Sequence, residues 1–470
     1  MRGLCIVLAL CCAAPFLSAQ QQPSALERHL AAAQDAQAHT NCHLAAEEYE
    51  AAAKLLPSSG ELRTNLGIAL YCDQQFQAAV QTLRSALRLA PTLSAPHLFL
   101  GLASYHMADL PSAKTQLTLF LQASPQDPTA NLWLGYTLVA QGQFEAAEQQ
   151  FEKVLQVQPT NTDALYALGQ TALELGRQKA TALEALAPSG SKLLLLASEQ
   201  YRLQGDAARA DAALAESKTR SGNISTDPAT SLKEQALYEQ ATAFETRAQD
   251  AFQTILRIAP DSFRAHQIMA DSLVAMQQQE RAIPEYQSVI HENPTLPGIH
   301  EALSACLMTV GRFQEALAAL RAEQSLSPAA SARLLTKIGQ VQMAMGDNTD
   351  AAVSLRSALK SPQVPGHAYL LLARVLLQQG HAPESIPLFQ HYLSIDPDSS
   401  AAYYQLARAY RITGKQEAMA KAMDNFKRTS QDLKARALVS PILQGAGASP
   451  LSDNTPGPQA LNDNSADPHP

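Results

Sequence analysis

The sequence predicts an all-α solenoid of antiparallel helix pairs, and three observations predict it. Gly67, Gly101 and Gly135 stand 34 residues apart, as do Pro57, Pro91, Pro125 and Pro159. Ala79, Ala113 and Ala147 precede the last three prolines by twelve residues, and Leu83, Leu117 and Phe151 precede them by eight. A period of that length marks a stack of helical hairpins, each too small to bury its apolar face alone. Finally, the chain of 470 residues is 17% charged and 46% hydrophobic, the composition of a folded protein, with Gly and Pro placed as punctuation. A repeat array takes up such a length without one oversized core.

The chain opens with Arg2, an apolar run over 4–14 and small residues leading to Ala19. This reads as a secretory signal peptide over 1–19. An uncleaved anchor is the alternative, against which the run is shorter than the ~20 residues of a span. No later stretch is apolar enough to cross a membrane, so no span is expected in the mature chain. Loss of Arg2 takes the formal charge from −8 to −9, and nucleic acid is not an expected partner. Cys5, Cys11 and Cys12 leave with the leader, while Cys42, Cys72 and Cys306 stay.

Within each unit the glycine lies in the first helix, where a side chain would block the second, and the alanine of the second helix meets it. The terminal proline ends the unit. Asp127-Pro128 restarts the chain as an N-cap acid followed by proline at the first helical place. These residues resemble tetratricopeptide repeats. Leu66-Gly67, Ala79, Leu83, Ala86 and Pro91 match one unit of that family's pattern, and Leu134-Gly135, Gly142, Ala147, Phe151 and Pro159 another. The resemblance implies a right-handed solenoid, and with it about twelve units over 26–433.

The first unit holds Ala33, Ala45, Tyr49, Ala52 and Pro57. The unit from Thr162 keeps Gly169 in its first helix and Gly176 at its turn, but Pro188 cuts its second helix short. An atypical unit follows through Gly205, Ala210 and Leu214. Residues 219–228 lose apolar periodicity and are expected to form a loop or hinge between an N-terminal array, 20–218, and a C-terminal array, 229–433. The pattern resumes with Ala248, Phe252 and Pro260 and runs through Ala270, Gly311, Gly339, Ala373 and Ala407. A capping helix over 434–443 and a disordered tail over 444–470 complete the expectation.

Catalytic patterns are nearly absent. His300-Glu301 lacks the second His of a zinc motif, and Ser189-x-x-Lys192 and Ser357-x-x-Lys360 lack companion motifs. His39, His43 and Glu47 are spaced four apart, but the register puts a turn between the histidines, so no metal is expected there. No cofactor and no enzyme activity are expected. Asn223-Ile224-Ser225 is a glycosylation sequon that matters only in a glycosylating host.

The family resemblance places Cys42 near the start of one second helix and Cys72 near the end of the next first helix, elements that pack together in such a stack. A disulfide and two reduced, half-buried thiols are the two readings. Cys306 falls at a core place. The resemblance also implies an inward face made by the second, fifth, sixth, ninth, twelfth and thirteenth places of the first helices. These hold Leu98, Phe99, Leu102, Tyr105 and His106 in one unit and Leu132, Trp133, Tyr136 and Val139 in the next, an apolar and aromatic groove for a partner. The alternative is that they pack only on neighbouring helices. Further on the same places hold Lys337, Arg374, Arg408 and Arg411, a basic cluster suited to an acidic or carboxylate-bearing segment, or else a solvated face with internal pairs. The carboxylate clamp of some family members is not reproduced: Asn65 matches, but Leu30, Gln34, Ala95 and Phe99 stand at its other places.

The expected function is therefore a non-catalytic scaffold binding peptide segments or helices of other proteins, in an exported bacterial protein of the periplasm or exterior. Alternatives are an accessory of outer-membrane, pilus or exopolysaccharide assembly, and the regulatory arm of an enzyme. Oligomeric state is not encoded legibly.

Overall fold

The computed structural model describes residues 24–436 apart from 189, 222–227, 327–330 and 362–363. The signal peptide over 1–19, the sequon, Ser189, the tail and the capping helix beyond 436 lie outside the described residues. Among those described there are twenty-two helices and no strand. In chain order α1 (Ala25–Ala38) pairs with α2 (Cys42–Leu55), α3 (Gly60–Cys72) with α4 (Phe76–Leu89), and α5 (Ala95–His106) with α6 (Leu110–Ala123). The pair α7 (Pro128–Ala140) and α8 (Phe144–Val157) precedes α9 (Thr162–Leu186), α10 (Ser191–Leu203), α11 (Ala207–Arg220) and α12 (Pro228–Ile258). Then come α13 (Phe263–Ala275) with α14 (Gln279–Glu292), α15 (Ile299–Thr309) with α16 (Phe313–Leu326), and α17 (Ser331–Met345) with α18 (Asn348–Ala358). The last two pairs are α19 (Gly366–Gln378) with α20 (Ala382–Ile395) and α21 (Ser400–Ile412) with α22 (Gln416–Arg436). The fold is an all-α solenoid of helix pairs. The chain divides into two compact units between Phe99 and Leu100.

Local chemistry sets the helix ends. Asp127 caps α7 by accepting a hydrogen bond from the Ala130 amide at 2.7 Å, with Pro128 at the first helical place. The α7–α8 turn passes through Gly142 at φ +71°, a left-handed conformation that favours glycine. Between the paired helices contact is close. A Cβ added to Gly67 would lie 2.5 Å from the Leu83 side chain, and one on Gly101 2.6 Å from that of Leu117, so the helix axes approach only because the side chain is absent.

One unit departs from the expected register. Gly176 makes no turn: α9 runs through it for 25 residues, and α12 for 31. The two long helices pack along each other, and Gly169 lies against the ring of Phe252 as Gly135 lies against Phe151. The second helix of the unit begun at Thr162 is thus α12, and α10–α11 is a helix pair inserted between the two halves. Ala248 and Phe252 complete that unit instead of opening a new one. This yields eleven pairs where about twelve units were counted.

The long helices serve two cores. Leu165, Tyr166 and Ile255 pack with Ala265 and Ile268 of α13 in the array. Ala180, Leu183 and Ala241, further along the same helices, pack with Leu193, Leu194 and Tyr201 of α10 and Ala210 and Ala213 of α11. Each fully buried leucine there stabilises by roughly 1.5–3 kcal/mol, enough to hold the insertion as a four-helix bundle. The division into arrays 20–218 and 229–433 is corrected accordingly, because residues on both sides of 219–228 pair with each other. The segment itself is helix to Arg220 and from Pro228, and 222–227 lie outside the described residues. Residues 434–436 continue α22 and do not start a separate cap.

Candidate interaction face

The aromatic places fill the interior of the stack. Leu102, Tyr105, Leu132, Trp133, Tyr136 and Val139 are all buried, Trp133 to 2% exposure. Trp133 meets Tyr105 edge-on at 5.4 Å and Tyr136 at 5.8 Å, and Tyr136 meets Phe151 at 5.6 Å. His106 stands against Trp133 at 5.3 Å, and burial lowers its imidazole to about 4, so it is neutral near pH 7. In the first compact unit Leu98 and Phe99 are half-buried, Phe99 against Tyr71 at 5.7 Å. The expected open aromatic groove is thus corrected to a packed aromatic core: rings this large at successive inward places fill the space between first helices. Its polar ends stay inside, and among the described residues the Tyr136 hydroxyl has no hydrogen-bond partner.

Beyond this core the inward places carry charge, and the charge is matched. Arg264, on α13, is fully buried. Its Nε donates to Asp163 Oδ1 of α9 at 2.7 Å and its Nη1 to Gln267 Oε1 at 2.8 Å, while its guanidinium lies 4.6 Å from the centre of the Tyr166 ring. Asp271, two turns on, accepts from the hydroxyls of Tyr286 at 2.7 Å and Tyr166 at 3.2 Å. Burial pushes its carboxyl up to about 6 against the pull of those hydrogen bonds. In the next pair, buried Glu301 of α15 holds both Arg333 and Lys337 of α17. Lys337 is therefore a structural partner, and it leaves the set of open basic residues.

The remaining three are different. Arg374 is half-buried on α19, and Arg408 and Arg411 are exposed on α21. Among the described residues none of them forms an ion pair. Arg408 donates only to the neutral Gln405 side chain, at 3.3 Å. Arg374 and Arg408 occupy the same ninth place in successive pairs, on helices that touch. Tyr404, 45% exposed, stands one turn before Arg408. The arrangement offers fixed positive charge beside an open ring, which suits an acidic, partly aromatic or aliphatic chain.

Models of one repeat family match parts of this stack. Three tetratricopeptide-repeat models match, one over residues 30–94 and 336–400, one over 138–188 and one over 388–421. These segments are tetratricopeptide repeats. The TPR repeat-containing protein YpiA of Bacillus subtilis (strain 168) is 24% identical over 225 residues, covering 47% of this chain and 52% of that protein. The chain thus spans about half the length of that relative. Among solved structures, a tetratricopeptide repeat protein from Parabacteroides merdae is 14% identical over 75% of this chain and 100% of its own, with a TM-score of 0.38. YrrB, a TPR protein with an unusual peptide-binding site, is 15% identical over 40% of this chain and 97% of its own, with a TM-score of 0.32.

Other candidates resolve locally. Cys42 of α2 and Cys72 of α3 form a disulfide with Cα atoms 5.5 Å apart, joining neighbouring tetratricopeptide helices. His39 lies at the end of α1 and His43 on α2, where it contacts Asp73 at 3.1 Å and Glu47 at 3.6 Å. Among the described residues no cluster of His, Cys, Asp and Glu has metal-holding geometry. Cys306 is a buried free thiol, pushed up to about 11 by burial. No described helix is long and apolar enough to cross a membrane. Sequence reasoning missed Asp163, Arg264, Asp271, Glu301 and Arg333. The signal was present, because charged residues stand at inward places of first helices where apolar ones were sought.

Proposed function

We propose that this chain is an exported, non-catalytic interaction scaffold that receives acidic segments of other proteins on the face formed by Arg374, Arg408 and Arg411. Protein or peptide partners are what its repeats support at the coarse level. The observation that carries the finer reading is that these three arginines have no ion-pair partner among the described residues, while Arg264, Arg333 and Lys337 at other inward places each have one. A guanidinium left open on a first-helix face keeps its capacity for bidentate recognition of a carboxylate. Export is supported by the leader-like residues 1–19 and by the Cys42–Cys72 pair, since disulfides persist in oxidising compartments.

The binding test is fluorescence anisotropy of a labelled Asp/Glu-rich peptide against a neutral Asn/Gln counterpart, with the wild type and Arg374→Ala/Arg408→Ala/Arg411→Ala. A loss of about tenfold or more in affinity, equivalent to ~1.4 kcal/mol, is expected for the acidic peptide alone. Equal binding by the two proteins would sink the reading. Export is tested separately by N-terminal sequencing and non-reducing peptide mapping of protein recovered outside the cytoplasm.

A further inference from the structure

If Arg374, Arg408 and Arg411 receive acidic chains, the residues best placed to reach them belong to the same polypeptide. Residues 437–470 contain Asp453, Asp463 and Asp467 and no Lys or Arg. They leave from the end of α22, the helix that packs on α21. We infer that this segment occupies the arginine face in cis, so that an acidic partner binds by displacing it.

The distances suit this. α22 returns along α21 after a short turn and is 21 residues long against 13, so its end passes the start of α21 by roughly 12 Å at 1.5 Å per residue. Arg408 lies eight residues inside α21, about another 12 Å back. For the number of residues involved, random-coil statistics give a root-mean-square span of about 21–25 Å from Arg436 to Asp453 and about 28–33 Å to Asp467. Neither a stretched linker nor a large excess of chain is required. Tethering at this range gives an effective concentration on the order of millimolar, so a contact of millimolar intrinsic affinity is occupied about half the time. The charge also fits. Three carboxylates match in number three guanidinium groups that form no ion pair among the described residues.

The test uses the full chain. Wild type, Asp453→Asn/Asp463→Asn/Asp467→Asn, and Arg374→Ala/Arg408→Ala/Arg411→Ala are titrated with the labelled acidic peptide at low and high salt. The inference expects the tail variant to bind the peptide several-fold to tenfold tighter than wild type, with the gap closing near 0.5 M salt as screening sets in. It also expects zero-length carbodiimide coupling of Asp453, Asp463 or Asp467 to exposed Lys415 in the wild type, lost in the arginine variant. If wild type and tail variant bind alike while the arginine variant binds weakly, the cis contact is overturned and the acid-receptor reading stands. If the arginine variant binds as wild type does, both fall.

Discussion

The first helices from α9 to α17 and those at α19 and α21 carry cations at equivalent inward places and treat them in opposite ways. Upstream, Arg264, Arg333 and Lys337 are matched by acids of the preceding first helix: Asp163 meets Arg264, and Glu301 meets Arg333 and Lys337. Downstream, Arg374, Arg408 and Arg411 form no ion pair among the described residues. The difference teaches which charges hold the stack together and which are left for something else. A buried guanidinium without its carboxylate is costly, so the upstream pairs tie one repeat to the next. An exposed arginine loses little by standing alone in water, so the downstream face is maintained without internal pairing.

The sharpest way to break this contrast is Arg264→Ala. It leaves Asp163 and Gln267 without their buried partner and is expected to destabilise by about 3–5 kcal/mol in denaturant unfolding; a change below 1 kcal/mol would remove the pair from the structural side. Next comes Asp271, half-buried on the same upstream face. Its carboxyl lies at about 6 in the fold against the ordinary 3.8 of an aspartate, so the folded state holds the proton over that interval more than the unfolded state does. Its contribution is therefore full below about pH 4 and falls as pH rises to 6, by up to ~3 kcal/mol at 1.36 kcal/mol per unit. Subtracting the pH–stability profile of Asp271→Asn from that of wild type isolates the slope, and a flat difference refutes it.

A milder substitution makes the upstream face resemble the downstream one. Glu301→Gln removes the acid that Lys337 and Arg333 share, at a cost of about 1–3 kcal/mol, and through Lys337 it is expected to create a second site for the acidic peptide. Calorimetric stoichiometry should then rise from one to two, and an unchanged value would show that open cations alone do not make a receptor. The smallest effect is expected on stability downstream: Arg408→Ala and Arg411→Ala should each unfold within about 0.5 kcal/mol of wild type. A larger shift in thermal or denaturant unfolding would assign them structural roles.

Legibility followed the range of the interaction. The Gly67–Leu83 and Gly101–Leu117 contacts are local, repeat with one period, and can be read directly from spacing. The nearness of Cys42 and Cys72 follows from the family's register, while the bond itself is one of two readings and is decided only by the structure. The Gly169–Phe252 contact could not be read in this way, because α10 and α11 intervene and each half of the divided unit resembles a fragment. Trp133 and Tyr136 carry the right residue types for a binding groove, yet burial depends on how far neighbouring first helices close over them.

The sequence by itself determined the hairpin unit, its period, its turns and the inventory of charges along the first helices, since each depends on residues within about one repeat. Only the tertiary structure decided that α12 completes the unit begun by α9 and that the aromatic places are interior. It also decided which cations have acids opposite them. Those outcomes depend on distances between helices that the sequence places far apart, and a salt bridge or a buried ring is a property of that distance and not of either residue alone.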